Sequence, residues 1–151
     1  MSSAAVESID PANGEVVERY EVFTESQIDE ALGGASACFE RWRKSDWSER
    51  SELMSGVGRE LRAAADELAH MVSREMGKPI TEAFAEVEKC AWAAEHYAEH
   101  GDEFLAPEPI DVGDARRVAV HKRPLGVVLA IMPWNYPLWQ AMRAAAPIVS
   151  A

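Results

Sequence analysis

Positive charge is scarce in this chain. Its 151 residues carry 15 Lys and Arg against 26 Asp and Glu, a formal charge of −11. A nucleic-acid surface needs clustered cations, so that class of partner is excluded. Cysteine is scarcer still, with only Cys38 and Cys90, which make neither a disulfide framework nor a metal pattern. Both stand at apolar positions of helical period, where a buried thiol is the ordinary expectation. Long hydrophobic runs are missing too. The longest, Leu125 to Met132, falls far short of the roughly 20 residues that cross a bilayer. The opening stretch MSSAAVESIDPANGE has no basic region and no apolar stretch of a secretory leader. Internal repeats and low-complexity tracts are absent as well. The expectation is a cytoplasmic protein with no membrane or nucleic-acid partner, its acidic surface also compatible with a salty cytosol.

What is present fits a globular domain, 48% hydrophobic and 27% charged, long enough to bury a sizeable core. Asp10-Pro11-Ala12-Asn13-Gly14 is a turn signal, and the patchy alternation from Glu15 to Val22 makes it a short hairpin. Thr24 and Gln27 have capping-box spacing. Ile28, Ala31, Leu32, Ala35, Cys38, Phe39 and Trp42 then recur at helical intervals. A second helix is expected from Asp46, with Glu49 three residues on. It turns Leu53, Val57, Leu61, Ala64, Leu68, Met71 and Val72 inward and ends at Gly77 and Pro79. A third runs from about Thr81 to His100, with Phe84, Val87, Cys90, Ala91, Ala94 and Tyr97 on one side. Gly101 to Asp114 reads as a polar connection, and Arg116 to Arg123 as a half-exposed strand. The aliphatic run Val127 to Ile131 has the pattern of a strand covered on both faces in a parallel sheet.

The segment LGVVLAIMPWNYPLWQ, Leu125 to Gln140, is the most informative. Pro133 fixes its own backbone, Pro137 restricts Tyr136, and Pro137 suits the first turn of a following helix. A stiff loop at the carboxyl end of a buried strand is where open α/β sheets place ligands. No GxGxxG accompanies this turn, so a standard dinucleotide fingerprint is excluded there. Asn135 offers a neutral amide donor for a developing oxyanion; it could equally cap the helix. Tyr136, Gln140 and Arg143 are spaced i, i+4, i+7 and share a helix face. Arg143 suits a carboxylate through its planar fork, or a surface ion pair. Gly56-Val57-Gly58 lies within a helix and is no phosphate loop.

PLGVVLAIMPWNYPLWQ closely resembles the aldehyde dehydrogenase superfamily, in which a PWN[FY]P loop follows the first strand of the cofactor domain. FERWRKSDWSERSELM and EMGKPITEAFAEVEKCAWAAEHYAE resemble the three helices that precede it, so the likeness covers essentially the whole chain. PLWQAMR is most similar to the succinate-semialdehyde dehydrogenases. The resemblance implies an α/β fold: the N-terminal part of a Rossmann-like NAD(P)-binding domain, with three amphipathic helices, the first buried parallel strand and its helix, and an incomplete sheet. Residues 1–114 would hold the hairpin and helices, and 115–151 the strands, the loop and the start of a helix, with the catalytic domain absent.

By position, the resemblance makes Asn135 the oxyanion asparagine. It sets Ile131, Met132, Pro133 and Trp134 against the nicotinamide and its ribose. Tyr136 and Gln140 would line the substrate tunnel, and Arg143 would bind a substrate carboxylate. The implied chemistry is oxidation of an aldehyde, succinic semialdehyde above all, to its acid with NAD or NADP through a cysteine thiohemiacetal, in a homo-oligomer. Neither Cys38 nor Cys90 matches the family's nucleophile, and its general-base glutamate is unmatched, so these residues alone are expected to be inactive.

Two other readings remain. His96-Tyr97-Ala98-Glu99-His100 fits the H-x-x-E-H pattern of zinc peptidases, although it ends a helix where histidines meet the dipole favourably. A non-catalytic helical module that binds a partner through an exposed sheet edge is the second. A strand with the Val127 to Ile131 pattern needs neighbours on both sides. Without them the chain is expected to expose apolar surface and self-associate. Sedimentation velocity across a concentration series should show association, and a monodisperse, cooperatively melting monomer would contradict it.

Overall fold

The computed structural model describes residues 5–113 and 117–151. Ala5–Ile9 (β1) and Val16–Glu21 (β2) pair antiparallel, Val6 opposite Tyr20, with an irregularity at Ser8/Ile9. The turn between them is as expected: Gly14 adopts φ 77°, and the Asp10 carboxylate accepts from the Ala12 amide at 2.8 Å. Thr24 then caps Glu25–Trp42 (α1), and its capping box with Gln27 forms in both directions. Asp46 caps the next helix through the Glu49 amide at 3.0 Å, a bond that holds its carboxyl below the usual carboxylate range.

The second expected helix is two. Trp47–Ala63 (α2) and Ala65–Met76 (α3) meet at Ala64, whose φ of −94° and ψ of 12° interrupt the helix. The apolar phase carries through the break because only one residue leaves the helical path, so periodicity alone could not show it. Four helices, not three, therefore precede the loop. Gly77 ends α3 in the left-handed region at φ 74°, as its position after the apolar run implies. Pro79 opens Ile80–Leu105 (α4), a helix of 26 residues.

α4 is the spine. Ala69, Val72, Ala83 and Val87 form one buried cluster where α3 meets its first half. Met54, Ala94, Ala98 and Ala146 form another where α2 meets its second half. The break at Ala64 thus lets one stretch of chain follow α4 in two straight pieces. Small side chains at the contact let the helices approach closely. Cys90 is buried as expected, but Cys38 is exposed. The reason is that α1 buries none of its residues: Ile28 and Leu32 remain exposed, and only Ala35, Phe39 and Trp42 are half-buried. Leu53, Met71 and Phe84, expected inside, also stay exposed.

Gly101 does not end α4. The helix continues to Leu105, and the glycine is there because the Trp47 ring lies against its backbone, where an added Cβ would collide with Cη2 and sit 2.9 Å from Cζ3. The presumed polar connection accordingly contains the end of α4 and Glu108–Ile110 (β3). This strand pairs antiparallel with Val118–Val120 (β4), tied also by Lys122 to Glu108 at 2.5 Å. The expected strand start at Arg116, and the division between 114 and 115, lie outside the described residues.

The sheet is incomplete, as expected, but Val127 to Ile131 itself forms no strand. Both ladders present are two-stranded and antiparallel, and among the described residues nothing lies beside this run to complete a parallel one. Leu129 and Ile131 are consequently 84% and 86% exposed. Pro137–Ser150 (α5) follows the loop, with Pro137 in its first turn and Pro147 near its end.

Gly101→Ala gains helix propensity but forces overpacking against Trp47, for an expected net loss of about 1–2 kcal/mol. A lower urea midpoint with unchanged slope checks this; an unchanged midpoint would mean that the indole moves aside freely.

Candidate active site

The loop presents its residues to solvent. Trp134 and Asn135 form the turn, Trp134 is 77% exposed, and Met132, Pro133, Asn135 and Tyr136 are exposed with it. Asn135 does not cap α5. The capping position belongs to Tyr136, and no loop side chain fills the role.

Something else does. Pro137 has no N–H, and the Gln140 amide bonds to the Tyr136 carbonyl at 2.8 Å. The two donors left over in the first turn are the Leu138 and Trp139 amides, those that a capping side chain ordinarily satisfies. Both donate to one carboxylate oxygen of Glu86, on α4, at 3.0 Å each. The second oxygen of Glu86 pairs with the Lys78 ammonium. That ammonium also sits 3.6 Å from the centre of the Tyr136 ring. The side chains of Lys78 and Glu86 are 3% and 1% exposed. Two buried charges are costly unless each finds partners. Here the carboxylate has a cation and two amides, and the cation has an anion and an aromatic face.

The local chain explains how they meet. Gly77 reverses direction after α3, and its missing side chain admits Pro11 of the hairpin turn, whose Cγ would lie 2.9 Å from a Cβ there. Lys78 follows, its carbonyl accepting from Ser73 Oγ at 2.6 Å. Glu86 lies two turns along α4 in the same stripe as Ala83, Val87 and Cys90, all buried.

The Ser150 and Ala151 backbone meets Arg50. Arg50, itself buried, donates to the Ser150 and Ala151 carbonyls at 3.2 and 2.6 Å and to Trp42 O at 3.2 Å. Trp42 Nε1 donates to Val149 O at 2.8 Å. An anion at the first turn matches the helix dipole. Leu138, Met142 and Val149 pack inward against the two core clusters. That leaves Gln140, half-buried, and Arg143, exposed, on the side turned away. Tyr136 is not part of that helical face, because it precedes the helix and lies against Lys78.

Lys78 and Glu86 are the residues that sequence reasoning missed. A glutamate inside an otherwise apolar helical stripe was the available signal, since an acid there requires a partner. The two cysteines lie elsewhere. Burial, with the nearby Glu86 charge second, pushes the Cys90 thiol up to about 12, so it stays protonated and a poor nucleophile. His96 and His100 lie 4.8 Å apart between ring centres, and His96 also stacks on Trp92. Among the described residues no three His, Cys, Asp or Glu are placed to hold a metal, and no helix is long and apolar enough to cross a membrane. A groove of about 340 Å³, lined by Phe39, Trp42, Pro124, Gly126 and Ile148 among others, lies toward the far end of α5 rather than at Asn135.

The family model described as the aldehyde dehydrogenase family matches residues 1–151. The chain belongs to that family. It is 46% identical over 144 residues to a succinate semialdehyde dehydrogenase [NAD(P)+] of Escherichia coli, covering 95% of this chain and 31% of that protein. It is 40% identical over 148 residues to succinate-semialdehyde dehydrogenase [NADP(+)] 1 of Mycobacterium bovis, covering 97% and 32%. Among solved structures, succinic semialdehyde dehydrogenase of Streptococcus pyogenes in complex with NADP+ superposes with a TM-score of 0.89 at 36% identity, covering 94% and 31%. An aldehyde dehydrogenase of Brucella melitensis reaches 0.91 at 29% identity, covering 98% and 31%. The fold is thus that of the N-terminal part of aldehyde dehydrogenases, and the chain spans about a third of the length of these relatives.

Proposed function

We propose that this chain is the N-terminal part of an NAD(P)-dependent enzyme that oxidises an aldehyde carrying a carboxylate, succinic semialdehyde above all, to its acid. The observation that carries the reading is the Asn135 amide. It stands on a proline-braced turn, and the helix behind it is capped by another residue, so the amide is available to an aldehyde oxygen as negative charge develops there. Gln140 and Arg143 lie on the outward side of the same helix, where a guanidinium suits the substrate's far carboxylate. Tyr136, lining the entry, would be held by its contact with Lys78.

Ile131, Met132, Pro133 and Trp134 form an exposed, mostly apolar strip that fits the flat face of a nicotinamide and its ribose. Bound there, the cofactor would accept hydride from the substrate. No phosphate-cradling glycine turn accompanies the strip, so it would hold one end of the cofactor only. These 151 residues alone are expected to turn over no aldehyde, because Cys90 is buried and protonated and neither cysteine matches the family's nucleophile. The full enzyme is expected to be a homo-oligomer. A partner-binding module is the second reading, favoured by the exposed run through Leu129 and Ile131. It predicts no aldehyde turnover in any full-length context.

Both roles can be tested in a full-length enzyme carrying this chain. Asn135→Ala should lower kcat by about 10²-fold or more with little change in KM for NAD(P); unaltered kcat removes Asn135 from the reaction. Arg143→Met should lower kcat/KM for succinic semialdehyde by about 10- to 100-fold, the worth of a charge-assisted pair, and leave an uncharged aldehyde nearly unaffected. Equal losses on both substrates would refute the carboxylate role.

A further inference from the structure

We infer that Glu86, with Lys78, is a positioning residue for the oxyanion donor: it caps α5 from another helix and so keeps Asn135 out of the cap. This rests on the role proposed above for Asn135. Asparagine is a favoured side chain at a helix cap, and Asn135 stands one residue before the position that Tyr136 holds. If the helix began one residue earlier with Asn135 as its cap, the side chain would turn to the Leu138 amide and its own donors would leave the site. Glu86 occupies both amides with a single oxygen at 3.0 Å, which removes that competition.

Lys78 completes the device in two ways. Its ammonium neutralises the second oxygen of Glu86 in a place closed to water. It also lies 3.6 Å from the centre of the Tyr136 ring, so the residue that joins the loop to the helix rests on the same charge. The loop is therefore anchored immediately after Asn135 by the aromatic contact and within the next turn by the cap. Glu86 acts through the backbone that carries Asn135, and Lys78 through Glu86 and the Tyr136 ring.

Two neutral pairs separate this role from a contribution to folding. Lys78→Met with Glu86→Gln removes both charges and retains a carbonyl acceptor at the helix end. Lys78→Met with Glu86→Leu removes the acceptor at similar volume. Amide hydrogen exchange, read by mass spectrometry with overlapping peptides on the full-length enzyme, should show protection of Leu138 and Trp139 lost by about tenfold or more in the leucine pair, the factor expected for one lost hydrogen bond to a charged group. Val87 and Ala94 should keep theirs, and the glutamine pair should keep protection throughout.

In the full-length enzyme, the leucine pair should lower kcat for an uncharged aldehyde by about 10- to 100-fold, the cost of a misplaced donor. KM for NAD(P) should hold within about twofold, since the cofactor strip is untouched, and the glutamine pair should rescue kcat. Equal kcat in the two pairs overturns the inference. So does loss of protection that extends equally to Val87 and Ala94, which would make Glu86 a residue of the fold alone. A wild-type enzyme that oxidises no aldehyde would sink the activity reading, whereas the exchange measurement still decides the cap.

Discussion

A single buried carboxylate organises the start of α5 and the loop before it. Glu86 takes the two backbone donors that α5 cannot satisfy within itself, and its charge is balanced by Lys78. Without that cap the first turn of α5 would leave two amides unpartnered near the core, a cost comparable to each lost bond. The orientation of α5, the exit direction of the loop and the freedom of the Asn135 amide all follow from where this carboxylate stands. Arg50 gathers the carbonyls of Trp42, Ser45, Ser150 and Ala151 on one guanidinium. The helix is fixed by charge at its start and by Leu138, Met142 and Val149 along its side.

The rest of the core serves this arrangement. α4 is long enough to carry Glu86 near its beginning and the Trp47–Gly101 contact near its end. α2 and α3 flank it in two pieces because the Ala64 break allows each to follow its own half. The glycine after α3 and the lysine after that glycine place a cation under the start of α4, two turns from the acid it meets. Folding and site geometry therefore depend on the same few residues around Gly77 to Glu86. The exposed apolar strip is separate: its residues contribute little to this core.

Much was legible in the sequence because it was local. The Thr24 capping box, the Gly14 turn, the Gly77 cap and Pro137 in a first helical turn each depend on residues within a few positions of one another. Periodicity found the α4 stripe and the buried Cys90 for the same reason. It failed at Ala64, where a one-residue break leaves the phase intact, and at Gly101, where the glycine answers to Trp47 rather than to a helix end. It failed again along α1, whose apolar stripe is only half-covered at Ala35, Phe39 and Trp42 among the described residues, so Cys38 is exposed. The aliphatic run Val127 to Ile131 has the composition of a strand, but a strand is a property of pairs.

For the site, sequence alone determined the chemistry available: a rigid PWNYP turn with one amide donor, then Gln140 and Arg143 within one helical turn of each other. Tertiary structure alone decided which of those groups is free to act. Whether Asn135 caps its helix depends on a glutamate 49 residues earlier in the chain, and whether Tyr136 joins the Gln140–Arg143 face depends on a lysine further back still. Neither pairing has a local pattern, because the orphan amides of a helix start can be satisfied by any acceptor that the packing brings to them.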